Sequence, residues 1–134
     1  MYEFEWVCRW DHVDPAQRVY FPRLAQACHQ AGEQFMVDVG WPYWENPTHH
    51  DMHLPVVESG YQFEAPVVVG DRIDIQVEVE MGESSLRLEF TGRSEEGEVA
   101  FTGFEQHVCV PTDEDRARPL PEGLRQAIEG ALDE

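Results

Sequence analysis

One long apolar segment constrains the fold more than any other part of the chain. At helical spacing, with few polar interruptions, stand Val19, Tyr20, Leu24, Ala27, Cys28, Ala31, Phe35 and Met36. The spacing predicts a helix that is buried along much of its length. Pro15 and Pro22 lie near its predicted start, where a proline is tolerated because the first helical amides have no intrahelical partner. Such a helix must be covered by other elements.

Strand patterns supply the cover. Apolar and polar residues alternate in residues 2–9, 72–80 and 86–90, and a last long strand is predicted for residues 99–110. Residues 40–51 break every periodicity and are predicted to form a long loop. The order of strand, helix and strand meander predicts an α+β fold, in which a curved antiparallel sheet wraps one long central helix.

The C-terminal part has a different pattern. Residues 111–121 are charged and broken by prolines, and beyond them Leu124, Ala127, Ile128 and Leu132 recur at helical spacing. We expect residues 1–110 to form the main domain, and residues 111–134 to form a linker and a short amphipathic helix that packs on it. A chain of 134 residues with 42% hydrophobic content suits one such domain.

The charge balance is strongly acidic. The net charge is −18, from 27 acidic residues against 9 basic residues, all of them arginine. Dense carboxylates without lysine are typical of a halophilic protein that works in molar salt, where self-repulsion is screened over about 3 Å. An ordinary acidic protein selected for solubility is the alternative. A nucleic-acid partner is not expected, since phosphate binding needs a basic face.

The cysteines and the hydropathy indicate the compartment. Cys8, Cys28 and Cys109 are isolated within apolar patterns and are predicted to be core residues rather than disulfide partners. No apolar run is long enough to span a membrane. We therefore expect a cytoplasmic protein without a membrane contact.

A single carboxylate stands where the first strand gives way to the long helix. Asp14 lies in the run from Trp10 to Pro22, just ahead of helix amides that would welcome an anion or a developing oxyanion. An ionised carboxylate here can attack a carbonyl carbon or deprotonate a water. An Asp before a helix also commonly caps it, so the residues alone leave both roles open.

The same run resembles the signature of the hotdog-fold acyl-CoA thioesterases, in the 4-hydroxybenzoyl-CoA thioesterase-like branch. The matching residues are Trp10, Asp14, Pro15, Ala16, Val19, Tyr20, Phe21 and Pro22. Later segments that resemble the family in the right order are 54–57, 63–67, 70–73 and 82–86, so the resemblance covers about the first four-fifths of the chain.

The resemblance implies a hotdog fold and thioester hydrolysis. It implies that Asp14 is the catalytic nucleophile or general base, and that the Phe21 backbone amide is the oxyanion donor. His29, mid-helix where many relatives carry an acidic residue, is a further catalytic candidate. The implied substrate-binding residues are Gln17, Tyr20, Ser84, Ser85 and Arg87. The substrate would be a small-molecule acyl-CoA, no cofactor would be needed, and the protein would be a homodimer or homotetramer with its site between subunits.

Three positions depart from the family pattern. The first Asp of the pair is His12, the following Gly is Gln17 and the next aliphatic residue is Arg18. The lost Gly indicates a backbone that needs no positive φ or tolerates it less comfortably. We expect His12 to be exposed by default, and His29 to be either a hydrogen-bonded core histidine or a partner of Asp14 across a subunit boundary.

Other readings of the residues compete with hydrolysis. The fold could serve as an acyl- or CoA-binding module without turnover, or as an acyl-CoA hydratase or dehydratase, for which His12 lies too close to Asp14 to straddle a substrate. His49, His50 and His53 beside Asp51 invite a metal site. We predict none there, because the four residues lie in one predicted loop without supporting ligands.

Overall fold

The computed structural model describes residues 1–132. The strands are β1 (Tyr2–Val7), β2 (Met52–His53), β3 (Val56–Phe63), β4 (Arg72–Met81), β5 (Ser85–Arg93), β6 (Val99–Val108) and β7 (Val110–Pro111). The helices are α1 (Phe21–Asp38), α2 (Asn46–His49) and α3 (Glu122–Leu132), with short 3-10 turns at Trp10–His12 and Tyr43–Glu45. Strands β1, β3, β4, β5 and β6 form one antiparallel sheet in the order β1-β4-β5-β6-β3.

Helix α1 packs on one face of this sheet, as the periodicity predicts. Its Leu24, Ala27, Cys28, Ala31 and Met36 are fully or almost fully buried. Opposite them, β4 and β5 present alternate residues to the core: Ile73, Ile75, Val77, Leu86, Leu88 and Phe90. This alternation is what a sheet with one covered face requires. The α+β fold with a long helix against an antiparallel sheet is confirmed.

The start of α1 differs slightly from the predicted pattern. Val19 and Tyr20 share the helical spacing, yet α1 begins at Phe21, with Tyr20 as its extended N-cap residue. Val19 instead forms a β-bridge with Val13, and its amide donates to the Val67 carbonyl at 2.8 Å. Pairing across the loop outweighs the continuation of the helix at this end.

The predicted loop at residues 40–51 is partly helical, which corrects the sequence prediction. A 3-10 turn covers Tyr43–Glu45, and α2 follows directly. Pro47 lies in the first turn of α2, a position that needs no amide hydrogen, so the proline does not break this helix. The segment brings Tyr43 and Asn46 over the middle of α1.

The predicted last strand is divided, and the C-terminal helix packs on the body. Strand β6 ends at Val108, and Val110–Pro111 pairs with β2 in a separate two-stranded sheet. In α3, Leu124 and Ile128 are fully buried, as the amphipathic pattern predicts. All three cysteines are buried free thiols. Within residues 1–132 no helix is long and apolar enough to cross a membrane.

Candidate active site

Asp14 opens a tight loop between two bridged residues, Val13 and Val19. The Asp14 amide donates to the Arg18 carbonyl at 2.9 Å, and the Gln17 amide donates to the Asp14 carbonyl at 2.8 Å. This is the pattern of a three-residue hairpin loop, with a β-turn whose second position is Pro15. The chain therefore reverses here within a few residues.

The Asp14 side chain is held by this loop and not by the helix. Its Oδ1 accepts the Ala16 amide at 2.8 Å and the Arg18 amide at 3.4 Å. Because the N-cap position of α1 belongs to Tyr20, the alternative that Asp14 caps the helix is wrong. The two amides orient one carboxylate oxygen, and within residues 1–132 no hydrogen bond engages Oδ2.

Gln17 has a positive φ of 63°. A three-residue hairpin loop needs a left-handed residue at its third position, which glycine supplies at the lowest cost. Of the two alternatives, a backbone that needs no positive φ is wrong, because glutamine adopts the left-handed conformation here; the structure agrees with the other, a positive φ that the residue tolerates less comfortably than glycine.

The first turn of α1 leaves one of its amides without a hydrogen bond to residues 1–132. Pro22 has no amide hydrogen, and the Arg23 amide donates to the Tyr20 carbonyl at 2.8 Å. Among residues 21–23, all of which the structure describes, only Phe21 keeps an amide outside the chain's own hydrogen bonds. Helix N-terminal amides carry partial positive charge, so this amide can stabilise an oxyanion.

Asp14, Tyr20 and Phe21 lie together in an open cleft of about 590 Å³. The cleft also contains Arg18 and Phe63, and its remaining lining is Val19, Glu64, Ala65, Pro66 and Val67. The side chains of Tyr20, Phe21 and Phe63 are more than half exposed. The cleft thus combines a carboxylate, a free helix amide and apolar walls that a single protomer leaves open to solvent.

The other predicted substrate-binding residues lie outside this cleft in the protomer. Ser84 lies in the turn before β5, where its carbonyl accepts the Cys109 amide, and Ser85 is the first residue of that strand. Arg87 lies on the outer face of the sheet, 3.0 Å from Glu89 and 4.1 Å above the Phe104 ring. The Gln17 side chain is exposed beside the cleft.

The remaining histidines are held by local contacts. His12 is not exposed as expected: its side chain is 22% accessible, its Nδ1 accepts the Arg9 amide at 2.9 Å, and its ring lies on Trp6. His50 stacks on Trp41 at 3.7 Å. Among residues 1–132 no group of three His, Cys, Asp or Glu side chains is arranged to hold a metal ion.

His29 belongs to a polar cluster under the middle of α1. Its Nδ1 lies 3.0 Å from Oε2 of Glu105, a carboxylate that is only 3% exposed. His107, also buried, reaches Oε1 of Glu105 with Nε2 at 3.1 Å and the Leu54 carbonyl with Nδ1 at 2.8 Å. His29 is thus hydrogen-bonded to Glu105 as predicted, but its side chain is 43% accessible and so is not a core residue of the protomer.

The hydrogen-bond geometry places the protons. A carbonyl oxygen can only accept, so His107 Nδ1 carries a hydrogen. Burial favours the neutral form of Glu105, but hydrogen bonds from His107 and His29 outweigh it and lower the pKa of Glu105 to about 2. The carboxylate is therefore ionised at neutral pH and is hydrogen-bonded to both histidine rings.

The Glu105 hydrogen bond likewise raises the pKa of His29 above its ordinary value, against the opposing effect of burial. Tyr43 stacks between the two histidines, with ring centroids 5.9 Å from His29 and 5.8 Å from His107. Burial is the main cause that raises the pKa of the Tyr43 hydroxyl, so Tyr43 is a neutral hydrogen-bonding group.

Comparison with known proteins identifies the family. Residues 8–128 match the model of the thioesterase-like superfamily. The chain belongs to this superfamily. The match extends into α3, further than the sequence resemblance above.

Named relatives agree with this assignment. The chain is 27% identical to a 1,4-dihydroxy-2-naphthoyl-CoA hydrolase of Synechococcus elongatus, over 98% of both chains. It is 32% identical to a protein of the same name from Microcystis aeruginosa, over 84% of this chain and 82% of the relative. The fold matches the crystal structure of a Synechocystis 1,4-dihydroxy-2-naphthoyl-CoA thioesterase with a TM-score of 0.91 and 24% identity, over 99% and 98% of the two chains.

The predicted hotdog fold and acyl-CoA thioester hydrolysis are thereby confirmed, and the protein is an acyl-CoA thioesterase. Sequence reasoning missed Arg18 and Phe63 as parts of the cleft, and Glu105 as the partner of His29. The alternation of side chains along β6 offered a signal for Glu105. Glu105 and His107 lie at alternate positions, on the same face of the strand as the buried Phe101.

Proposed function

We propose that this thioesterase hydrolyses the CoA thioester of a hydroxylated aromatic acid, with Asp14 as its catalytic carboxylate. The main support for this role is the position of the Asp14 carboxylate. Oδ1 is fixed by the Ala16 and Arg18 amides, and Asp14 lines the same cleft as Phe21, whose amide makes no hydrogen bond in the part of the chain that the structure describes. The aromatic class is supported by the relatives' names, 1,4-dihydroxy-2-naphthoyl-CoA hydrolase.

Two routes use the same groups. In one, an Asp14 oxygen attacks the thioester carbonyl carbon, the C–S bond breaks, CoA leaves as the thiolate, and water then hydrolyses the mixed anhydride. In the other, Asp14 takes a proton from the water that attacks. The Phe21 amide stabilises the oxyanion in both. Single turnover in ¹⁸O-labelled water tests the first route, because label can enter Asp14 only when water opens a mixed anhydride at the Asp14 carboxyl carbon.

We also propose that the enzyme is a homo-oligomer joined at β3. This strand is an edge of the sheet, is eight residues long, and exposes Val56, Val57 and Phe63. A long apolar edge strand readily pairs with another chain. Because Phe63 also lines the Asp14 cleft, a second copy on β3 would close the cleft. Light scattering of native protein and Val57→Lys tests this: the variant should be monomeric, and an unchanged mass would place the interface elsewhere.

The buried free thiols of Cys8, Cys28 and Cys109 support a reducing, cytoplasmic location. The deciding experiment for the reaction is thiol release in molar KCl from 1,4-dihydroxy-2-naphthoyl-CoA, benzoyl-CoA and acetyl-CoA. Asp14→Asn should lower kcat at least about 100-fold. Asp11→Asn, a nearby exposed carboxylate, is the matched control and should stay close to native. Full activity in Asp14→Asn would refute the assignment, and preference for acetyl-CoA would refute the substrate class.

A further inference from the structure

A second pocket lies beside the middle of α1, separate from the Asp14 cleft. Its volume is about 230 Å³, and its lining residues are His29, Tyr43, Asn46, His53, Leu54, Val56 and His107. His29 is eight residues beyond Phe21, about 12 Å along the helix axis. The cleft and the pocket share no lining residue among residues 1–132.

Two buried polar atoms of this pocket have no partner. Within residues 1–132, neither Tyr43 Oη nor Asn46 Oδ1 makes a hydrogen bond, and Asn46 is only 2% exposed. An unsatisfied buried polar atom destabilises a protein, so native structures normally provide it with a partner. Two such atoms in one pocket indicate a group that binds both.

The chemistry of the two atoms selects that group. Asn46 Oδ1 needs a donor, whereas Tyr43 Oη can donate. A carboxylate has no hydrogen to donate to Asn46, and an ammonium cannot accept a hydrogen bond from Tyr43. A neutral hydroxyl does both.

The other lining residues indicate which kind of molecule bears the hydroxyl. Leu54 and Val56 are apolar, and the rings of His29 and Tyr43 are nearly parallel, at 14°. Flat aromatic and apolar walls favour an aromatic ring. At about 30 Å³ per water molecule in the liquid, the pocket is several times larger than one bridging water requires.

We propose that this pocket binds a hydroxyl-bearing aromatic ring, whose hydroxyl donates to Asn46 Oδ1 and accepts from Tyr43 Oη. The ring has two sources, the acyl group of a thioester or a separate phenolic molecule. Only the first source rests on the proposed function. The second needs no catalysis at Asp14.

The test uses 2-naphthol as the probe and 2-methoxynaphthalene, which cannot donate, as its control. Binding is measured by calorimetry in molar KCl. Native protein and Asp14→Asn should bind 2-naphthol equally and several-fold more tightly than the methoxy compound. Tyr43→Phe removes one oxygen atom and keeps the ring stack, and it should weaken 2-naphthol binding about 3- to 10-fold. Tyr2→Phe, whose hydroxyl bonds Asp38 on the surface, is the matched control and should bind as native.

Equal binding of the two compounds, unchanged binding in Tyr43→Phe, or no binding at all would overturn the proposal and assign the pocket to water. Competition then identifies the source of the ring. The ring is the acyl group if two results agree. 1,4-Dihydroxy-2-naphthoyl-CoA should displace 2-naphthol from the Asp14→Asn variant. In addition, the Tyr43→Phe substitution should raise the KM for 1,4-dihydroxy-2-naphthoyl-CoA more than the KM for benzoyl-CoA. If both ligands bind together, the ring belongs to a separate molecule. If Asp14→Asn hydrolysed thioesters as well as native protein and 2-naphthol still bound, the proposed function would be refuted but the binding proposal would stand.

Discussion

Replacing Glu105 with glutamine tests whether charge holds the buried cluster together. Glutamine keeps the shape of the side chain but cannot be ionised, so it removes the attraction to the His29 and His107 rings. A carboxyl group whose pKa falls from 4.5 to about 2 on folding contributes about 3 kcal/mol at neutral pH. We therefore expect Glu105→Gln to lower the free energy of unfolding by about 3 kcal/mol at pH 7.

The pH dependence of this difference follows from the direction of each pKa change. Because the folded pKa of Glu105 is lowered, its contribution is fully present above pH 4.5 and is lost as the pH falls toward 2. The folded pKa of His29 is raised, so its contribution is fully present below its ordinary pKa of 6.5 and is lost as the pH rises through the folded value. The difference in the free energy of unfolding between native protein and Glu105→Gln should therefore be largest between pH 4.5 and pH 6.5 and should disappear toward pH 2.

Urea denaturation in molar KCl, followed by tryptophan fluorescence, measures this gap at a series of pH values. Glu5→Gln is the matched control, since it removes a carboxylate that pairs with Arg72 at 3.0 Å in an exposed position. An exposed pair contributes less than about 1 kcal/mol. A cost below about 1 kcal/mol for Glu105→Gln at pH 7, or a gap that stays constant down to pH 2, would refute a charge-based role for the cluster.

Three further predictions concern stability; the first two use the same urea denaturation assay, and the third uses thermal melting. Gln17→Gly should stabilise the protein by about 0.5–1 kcal/mol, since glycine adopts the positive φ without strain, whereas Gly97→Ala at φ 87° should destabilise it. Gly92→Ala should cost about 1–3 kcal/mol, because its Cβ would lie 2.3 Å from the Phe101 ring; Gly130→Ala, with open space in α3, should be neutral or stabilising. Molar KCl should raise the melting temperature by screening the net charge of −18, and a melting temperature unaffected by salt would contradict the halophilic reading.

The features that sequence predicts well here are those fixed by local periodicity. The apolar spacing of α1 and the alternation in β4 and β5 report burial directly, because the helix and the sheet face each bury one side. Asp14 could be found because its loop is short and its role depends on neighbours within a few residues. Helix α2 was missed because Pro47 interrupts the pattern, although a proline is compatible with a first turn.

The features that sequence could not predict depend on contacts between distant residues. His29 and Glu105 are separated by 76 positions, and only the packing of α1 on β6 brings their side chains to hydrogen-bonding distance. Tyr43 and Asn46 join this cluster because a short helix replaces the expected loop. No local pattern encodes such a meeting, whereas two polar residues at core-facing positions of β6 do indicate that some buried partner exists.

The conformation of Gln17 and the orientation of Asp14 have one cause. The Ala16 and Arg18 amides reach the same carboxylate oxygen because the chain turns sharply between them, and that turn needs a left-handed residue at position 17. A residue with φ below zero there would open the loop, release Asp14 Oδ1 and separate the carboxylate from the Phe21 amide. The chain thus maintains a strained backbone at residue 17 because the nearby carboxylate needs a fixed direction. Strain that persists beside a reactive group is expected where orientation matters more than local stability.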